Sequence, residues 1–269
     1  MKKIMFFCTI LLLCFACSKS SDNEVTQTES ETSDVEEVEV AEKEVSENFY
    51  VMATSGLKLR EKPNGEKIMT IPYRAEVERL GTKTFGALEV NELKGFKIKG
   101  EWVKVHYKGK DGYVFNGFLT KYKMPKQIED YDYEKYSSKF DYYLTTSYDK
   151  DGDKYDVEKR DDCEDDNPMY CYNSYTQDYQ NGDIKYKNGS MESGSQEHLT
   201  FRNMTLAEAY FVIKAMDLNG ARNPKYDVKE SINYNKTKNT ISFEIYDVGC
   251  STDIKENGKD AIITVSCGC

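Results

Sequence analysis

Apolar side chains fill two runs of Gly100–Leu119 (GEWVKVHYKGKDGYVFNGFL), first Trp102-Val103-Val105, with period two through Trp102-Lys104-His106 and Val103-Val105-Tyr107, and again Tyr113-Val114-Phe115. These are strand-forming residues at strand period, so the stretch predicts a β-hairpin. In the connecting KGKDG, Gly109 and the pair Asp111-Gly112 are expected to supply the positive φ of a tight turn. The alternation sets Trp102, Lys104 and His106 on one face and Val103, Val105 and Tyr107 on the other, one face buried and one wet. Upstream, Gly56–Pro63 (GLKLREKP) alternates Leu57 and Leu59 with Lys58 and Arg60 and stops at Pro63-Asn64-Gly65. Lys67–Pro72 and Ala75–Gly81 read as two more strands. Phe85–Lys99, punctuated by glycine, reads as an extended loop or hairpin.

Further along, the pattern changes twice. Met124–Asp183 is rich in tyrosine and acid and predicts irregular or β structure. From residue 183 the periodicity clears. Asp183–Tyr186 and Glu197–Phe201 read as strands, and Met204–Asp217 (MTLAEAYFVIKAMD) as a helix. Thr205 and Glu208 form a capping box, Leu206, Ala209, Tyr210, Ile213 and Met216 share a face, and Asn219-Gly220 ends the helix. Strands follow near Val228–Asn235, Thr240–Val248 and Ala261–Ser266, with NKTKN and IKENGKD as hairpin turns. One helix laid over an antiparallel sheet would bury these faces.

The two N-terminal motifs, Leu57-Leu59-Arg60-Pro63 and Trp102-Val103-Val105-Gly109-Gly112-Tyr113-Val114-Leu119, resemble the opening strand and closing hairpin of bacterial SH3 (SH3b-type) domains. Lys58 stands where that family usually has Asn. The resemblance covers about Tyr50–Tyr122 and implies a small β-barrel. The expected fold is therefore mainly β, an SH3-like barrel (49–122) followed by an irregular acidic segment (123–182) and an α+β domain (183–269).

Charge and cysteine usage add a setting. Lys2 and Lys3 followed by an apolar run to Ala16 form an export signal (1–16), too short to span a bilayer comfortably. Its end, LLLCFACSKSS, resembles a bacterial lipoprotein signal, which implies Cys17 as the lipidated first residue of the mature chain. An ordinary secretory signal cleaved nearby is the alternative. Residues 18–48 carry 11 acidic and 2 basic side chains, and residues 17–48 read as a solvated, disordered tether. Residues 50–122 carry 14 basic against 8 acidic side chains, and residues 123–269 carry 19 against 28. A basic module thus lies between two acidic segments, within a chain of net charge −10. No nucleic-acid partner is expected from this balance.

Five cysteines lie beyond Cys17. Cys163 with Cys171, and Cys250 with Cys267 or Cys269, are the expected disulfides of an oxidising compartment. Zinc is the rival reading, with no C-x₂-C pair to support it. Asp149, Asp151 and Asp153 alternate near a glycine, a weak calcium candidate. An EF-hand loop starting at Asp149 would need Gly at Lys154 and Glu at Arg160. No cofactor is expected.

No enzyme is expected either. A cysteine hydrolase needs a Cys–His pair. The only histidines are His106, in the barrel, and His198, on a strand. The leading reading is a lipid-anchored binding protein of the bacterial envelope, periplasmic or surface-facing. Its basic barrel would meet an anionic or peptide partner, and the family resemblance implies peptidoglycan. Candidate contacts are Lys58, Arg60, Trp102, Lys104, Tyr113 and Phe115. The alternative makes the barrel a spacer and the C-terminal domain the binder of an envelope or host protein. In a third reading the basic and acidic halves dock electrostatically onto one another.

Overall fold

The computed structural model describes residues 46–126, 135, 138–151, 158–159, 173–191, 194–216, 230–245 and 250–268. The signal, nearly all of the tether, Cys17, Asp153, Cys163, Cys171 and Cys269 lie outside them. The described residues belong to one compact unit and are mainly β, with two antiparallel sheets and two α-helices among them.

The first sheet is a curled half-barrel built from β1 (Glu47–Val51), β2 (Leu57–Arg60), β3 (Lys67–Ile71), β4 (Glu76–Leu93), β5 (Phe96–Tyr107), β6 (Lys110–Phe115) and β7 (Leu119–Thr120). Its strand order is β3-β2-β6-β5-β4-β1-β7. The turn between β5 and β6 is Lys108-Gly109, both at positive φ (49° and 75°), as a two-residue hairpin turn requires. Asp111-Gly112 is therefore not the turn and lies inside β6. Gly112 is there for space: a Cβ would come within 2.7 Å of the Arg60 carbonyl oxygen and 2.9 Å of the Leu59 side chain.

Phe85–Lys99 proves to be hairpin rather than loop. β4 runs for 18 residues, turns at Lys94-Gly95 and returns as β5. Three register shifts interrupt the β4–β5 ladder, between Arg79/Thr84, Phe85/Ala87 and Asn91/Leu93. Each disturbs pairing and bends the strand locally, so the distal half leaves the barrel.

The second sheet has the order β12-β13-β14-β15-β11-β10-β9-β8. Its members are β8 (Glu158–Lys159), β9 (Asn173–Tyr179), β10 (Ile184–Met191), β11 (Gly194–Phe201), β12 (Glu230–Asn235), β13 (Thr240–Ile245), β14 (Cys250–Asn257) and β15 (Asp260–Gly268). IKENGKD is mostly strand: β14 intervenes between β13 and β15, and only Gly258-Lys259 turns. Cys250 pairs with Cys267 in the ladder and is disulfide-bonded to it, with Cα atoms 4.0 Å apart. Of the two expected partners of Cys250, Cys267 is the one used.

The helices are α1 (Lys139–Ser147) and α2 (Leu206–Met216). In α1, Ser138 caps by accepting from the Asp141 N–H at 3.1 Å, and Phe140, Tyr143 and Leu144 turn inward. Tyrosines and the β-branched Thr145-Thr146 are weak helix formers, so tertiary burial rather than propensity holds this helix in a region that reads as irregular. The α2 capping box forms as expected, the Thr205 N–H to Glu208 Oε2 at 2.8 Å and the Glu208 N–H to Thr205 Oγ1 at 3.3 Å. Beyond the expected apolar face, Phe211, Val212 and Ala215 are buried too. A helix apolar all round is enclosed on all sides.

What encloses it is the second sheet together with the barrel. Strand period sends the odd-numbered residues of β5 (Val103, Val105, Tyr107) into a barrel core with Val51, Leu57, Leu59, Ile71, Val77, Val114 and Leu119. The even-numbered Phe96, Ile98 and Trp102, with Phe115 of β6 and Met52, enter a second core. That core also contains Tyr143 and Leu144 of α1, Tyr210 and Ile213 of α2, and Leu199, Phe201, Phe243, Ile254 and Ile263 of the second sheet. Phe96 packs edge-on to Tyr210 at 6.0 Å and tilted against Tyr234 at 5.0 Å, and Phe118 meets Phe211 at 5.6 Å. The SH3-like half and the C-terminal half therefore share one apolar interior. Phe96→Ala removes a buried ring from it and is expected to cost about 3–5 kcal/mol. Urea denaturation should show the midpoint falling for the secondary structure of the entire chain, and an unchanged midpoint would deny Phe96 that role.

Candidate functional cleft

Where β2 passes the distal hairpin and α2, the shared core does not close completely. A cleft of about 360 Å³ remains, within the ~300–1,000 Å³ range of small-ligand sites. Trp102 and Phe115, cross-strand neighbours in the β5–β6 ladder, form its floor. Leu88, Val90 and Glu92 of β4, Phe118, and Phe211 and Lys214 of α2 form its walls, and the Ala53–Leu57 segment its lip. Lys58 and Arg60, alternating outward on β2 while Leu57 and Leu59 turn inward, supply its cationic rim.

The charges are not equivalent. Arg60 Nη1 donates to the Gly65 carbonyl oxygen at 2.6 Å, and the guanidinium lies 5.9 Å from the Trp102 ring centroid, so its plane is held while part of its donor fork is uncommitted. Lys214 is neutralised by Glu92, which also accepts a hydrogen bond from the Tyr210 hydroxyl at 3.1 Å. Lys58 is exposed and has no carboxylate within ion-pair distance among the described residues. The cleft thus holds two surplus positive charges over an aromatic floor.

Of the six residues picked from sequence, four meet here: Lys58, Arg60, Trp102 and Phe115. Trp102 and Phe115 are only 6% and 4% exposed, so they shape the cleft from below more than they present a surface. The other two lie elsewhere. Tyr113 is packed edge-on against Phe85 at 5.2 Å, and Lys104 lies 3.8 Å from Asp111 Oδ2. Sequence reasoning missed Leu88, Val90, Glu92, Phe211 and Lys214. Their signal was present in the all-round apolar α2 and in the Leu88-Val90 alternation. A smaller groove of about 250 Å³ lies between β4, β5 and the start of α2, with Arg79 and Lys99 facing Glu208. Its lining carries two cations and one carboxylate.

Other candidates among the described residues make contacts of their own. The Asp151 carboxylate accepts the Asn181 and Gly182 N–H groups at 2.7 and 2.5 Å, securing the β9–β10 turn, while Asp149 accepts the Gln180 N–H through its backbone. No cluster of three or more acidic, His or Cys side chains suited to a metal occurs among the described residues. The His106 Nδ1 lies 2.7 Å from Asp111 Oδ1, and this contact together with Lys104 holds the Asp111 carboxyl below its ordinary pKa. His198 Nδ1 lies 3.1 Å from Thr264 Oγ1, and desolvation beside Lys187 and Lys255 lowers its pKa. The two described cysteines are bonded to each other, so neither offers a thiolate.

Residues 55–120 match the model of the bacterial SH3 domain. This segment, from the lip of the cleft to β7, is a bacterial SH3 domain, and the rest of the chain matches no family model. No curated protein and no solved structure matches the chain. The cleft is accordingly composite, with its floor and rim from the SH3 domain and one wall from outside it.

One half-buried acid remains. Burial raises the pKa of Glu197, although the Ser138 and Tyr186 hydroxyls donate to it. A raised folded-state pKa contributes stability below the unfolded value and loses it as pH rises through the folded one. Glu197→Gln, which keeps an acceptor oxygen and removes the titration, should therefore gain stability relative to the native chain between pH 4 and pH 7. Thermal melts across that range check this, and a difference independent of pH would contradict it.

Proposed function

We propose that this is an exported, lipid-anchored, non-enzymatic binding protein of the bacterial envelope, whose SH3 domain engages peptidoglycan through the composite cleft. The observation that carries the reading is the position of the cleft. Lys58, Arg60, Trp102 and Phe115, all within the matched SH3 segment, converge on one cavity of ligand size. Surplus positive charge on its rim suits the carboxylates of wall peptides, and its aromatic interior suits their hydrocarbon.

The lipid anchor rests on the signal that ends at Cys17, and the acidic residues 18–48 would act as a spacer between anchor and binding unit. The disulfide between Cys250 and Cys267 accords with export. The alternative, in which the SH3 domain is a spacer and the C-terminal domain binds a protein partner, has less support, because four SH3 residues converge on the cleft; a cut near residue 122 would strip Phe96, Ile98, Trp102 and Phe115 of their partners.

The test is co-sedimentation of the whole mature chain with purified peptidoglycan. Native protein should pellet with the wall and release no soluble fragments from it. Lys58→Glu combined with Arg60→Ala should lower the pelleted fraction at least about fivefold, by loss of two charge-assisted contacts, with circular dichroism unchanged. Absence of pelleting by the native chain would overturn the wall assignment, and fragment release would overturn the non-enzymatic one.

A further inference from the structure

The wall reading leaves open which part of a wall polymer enters the cleft. The geometry points to a free peptide carboxylate, read by Arg60 and Lys58, and not to a sugar ring. This inference deepens the preceding proposal and rests on it. Sugar recognition by an aromatic platform needs an exposed ring face. Trp102 is the only tryptophan of the chain and is 6% exposed. The Arg60 guanidinium already lies over its ring. Phe115 is buried to a similar degree. What the cleft offers a ligand is instead a planar guanidinium fork of fixed orientation, the shape that matches a carboxylate bidentately. Beside it, Lys58 adds a mobile point charge.

The remaining walls fit a peptide end. Leu88, Val90, Phe118 and Phe211 line the space behind the cations, where an apolar side chain adjoining the carboxylate would be seated. The exposed Thr54 and Ser55 on the lip provide hydroxyls and main-chain groups for the peptide backbone. The volume suits a chain end rather than a folded partner, which would need ~800 Å² of surface on each side. Glu92 bears on selectivity. Tied to Lys214 and Tyr210, it holds the far wall neutral, so an anion is attracted only at the Arg60–Lys58 end, and the carboxylate orients there.

The experiment is calorimetric titration of the whole mature chain with a disaccharide–peptide released from peptidoglycan. The probe is used with its peptide carboxylates free and, separately, converted to carboxamides. The free acid should bind at least tenfold more tightly, its affinity should fall with added salt, and Lys58→Glu, an exposed change that leaves the core intact, should weaken it at least tenfold. The carboxamide should be indifferent to that substitution. Equal affinity of the two forms would overturn the inference while leaving wall binding in place. Failure of both forms to bind would also overturn it, and if sedimentation with intact wall failed as well, the wider reading would fall with it.

Discussion

The even-numbered face of β5 is buried against α2, and the architecture depends on that contact. Phe96, Ile98 and Trp102 sit on the outer surface of what would otherwise be a self-sufficient small barrel, whose own interior is served by Val103, Val105 and Tyr107. Each such side chain contributes ~1.5–3 kcal/mol when removed from water, so an uncovered face of three, with Phe115 beside them, would be a costly exposure. The lengthened β4–β5 hairpin carries this face beyond the barrel, and α2 is the element that covers it. The same helix covers the apolar face of the second sheet through Tyr210, which lies between Phe96 and Phe243. One helix thus closes two sheets, and for that reason it is apolar on nearly every side.

Charge plays a smaller part in this union than the composition suggests. The SH3 half is basic and the C-terminal half acidic, yet Glu92 on the SH3 side and Lys214 on the helix, an ion pair between them among the described residues, have the opposite polarity. What joins the described parts of the two halves is the apolar core. Part of the surplus charge of the SH3 half, Lys58 and Arg60, rims a place where the apolar seam is left open. The cleft is a by-product of incomplete closure between the two halves.

Strand period alone located most of the barrel, and the two SH3 motifs named it correctly. The same period showed that Trp102 and Val103 must face opposite ways. It could not show that both faces would be buried, because that depends on α2, roughly a hundred residues later. The α2 sequence did carry the clue, in Phe211, Val212 and Ala215 outside its expected apolar face. Other elements carried little signal. In α1, tyrosine and threonine disguise a helix, and in β14 the buried Thr252 and Ile254 are diluted by Asp253, Lys255 and Glu256. Four of the six residues picked from sequence meet in the cleft because charge and aromatic character cluster on β2, β5 and β6. For the cleft residues from α2 the sequence signals a helix covered on more than one face, but nothing local says which surface of the first half it walls.

A shared core has a direct signature in native-state hydrogen exchange. Amides of Val103 and Val105 in the SH3 domain and of Leu199 and Ile263 in the second sheet should open together at low denaturant, with one common free energy equal to that of global unfolding. If the SH3 amides instead kept their protection while those of the second sheet exchanged through a separate, lower-energy opening, the two halves would be independent domains. The account built on α2 would then be contradicted.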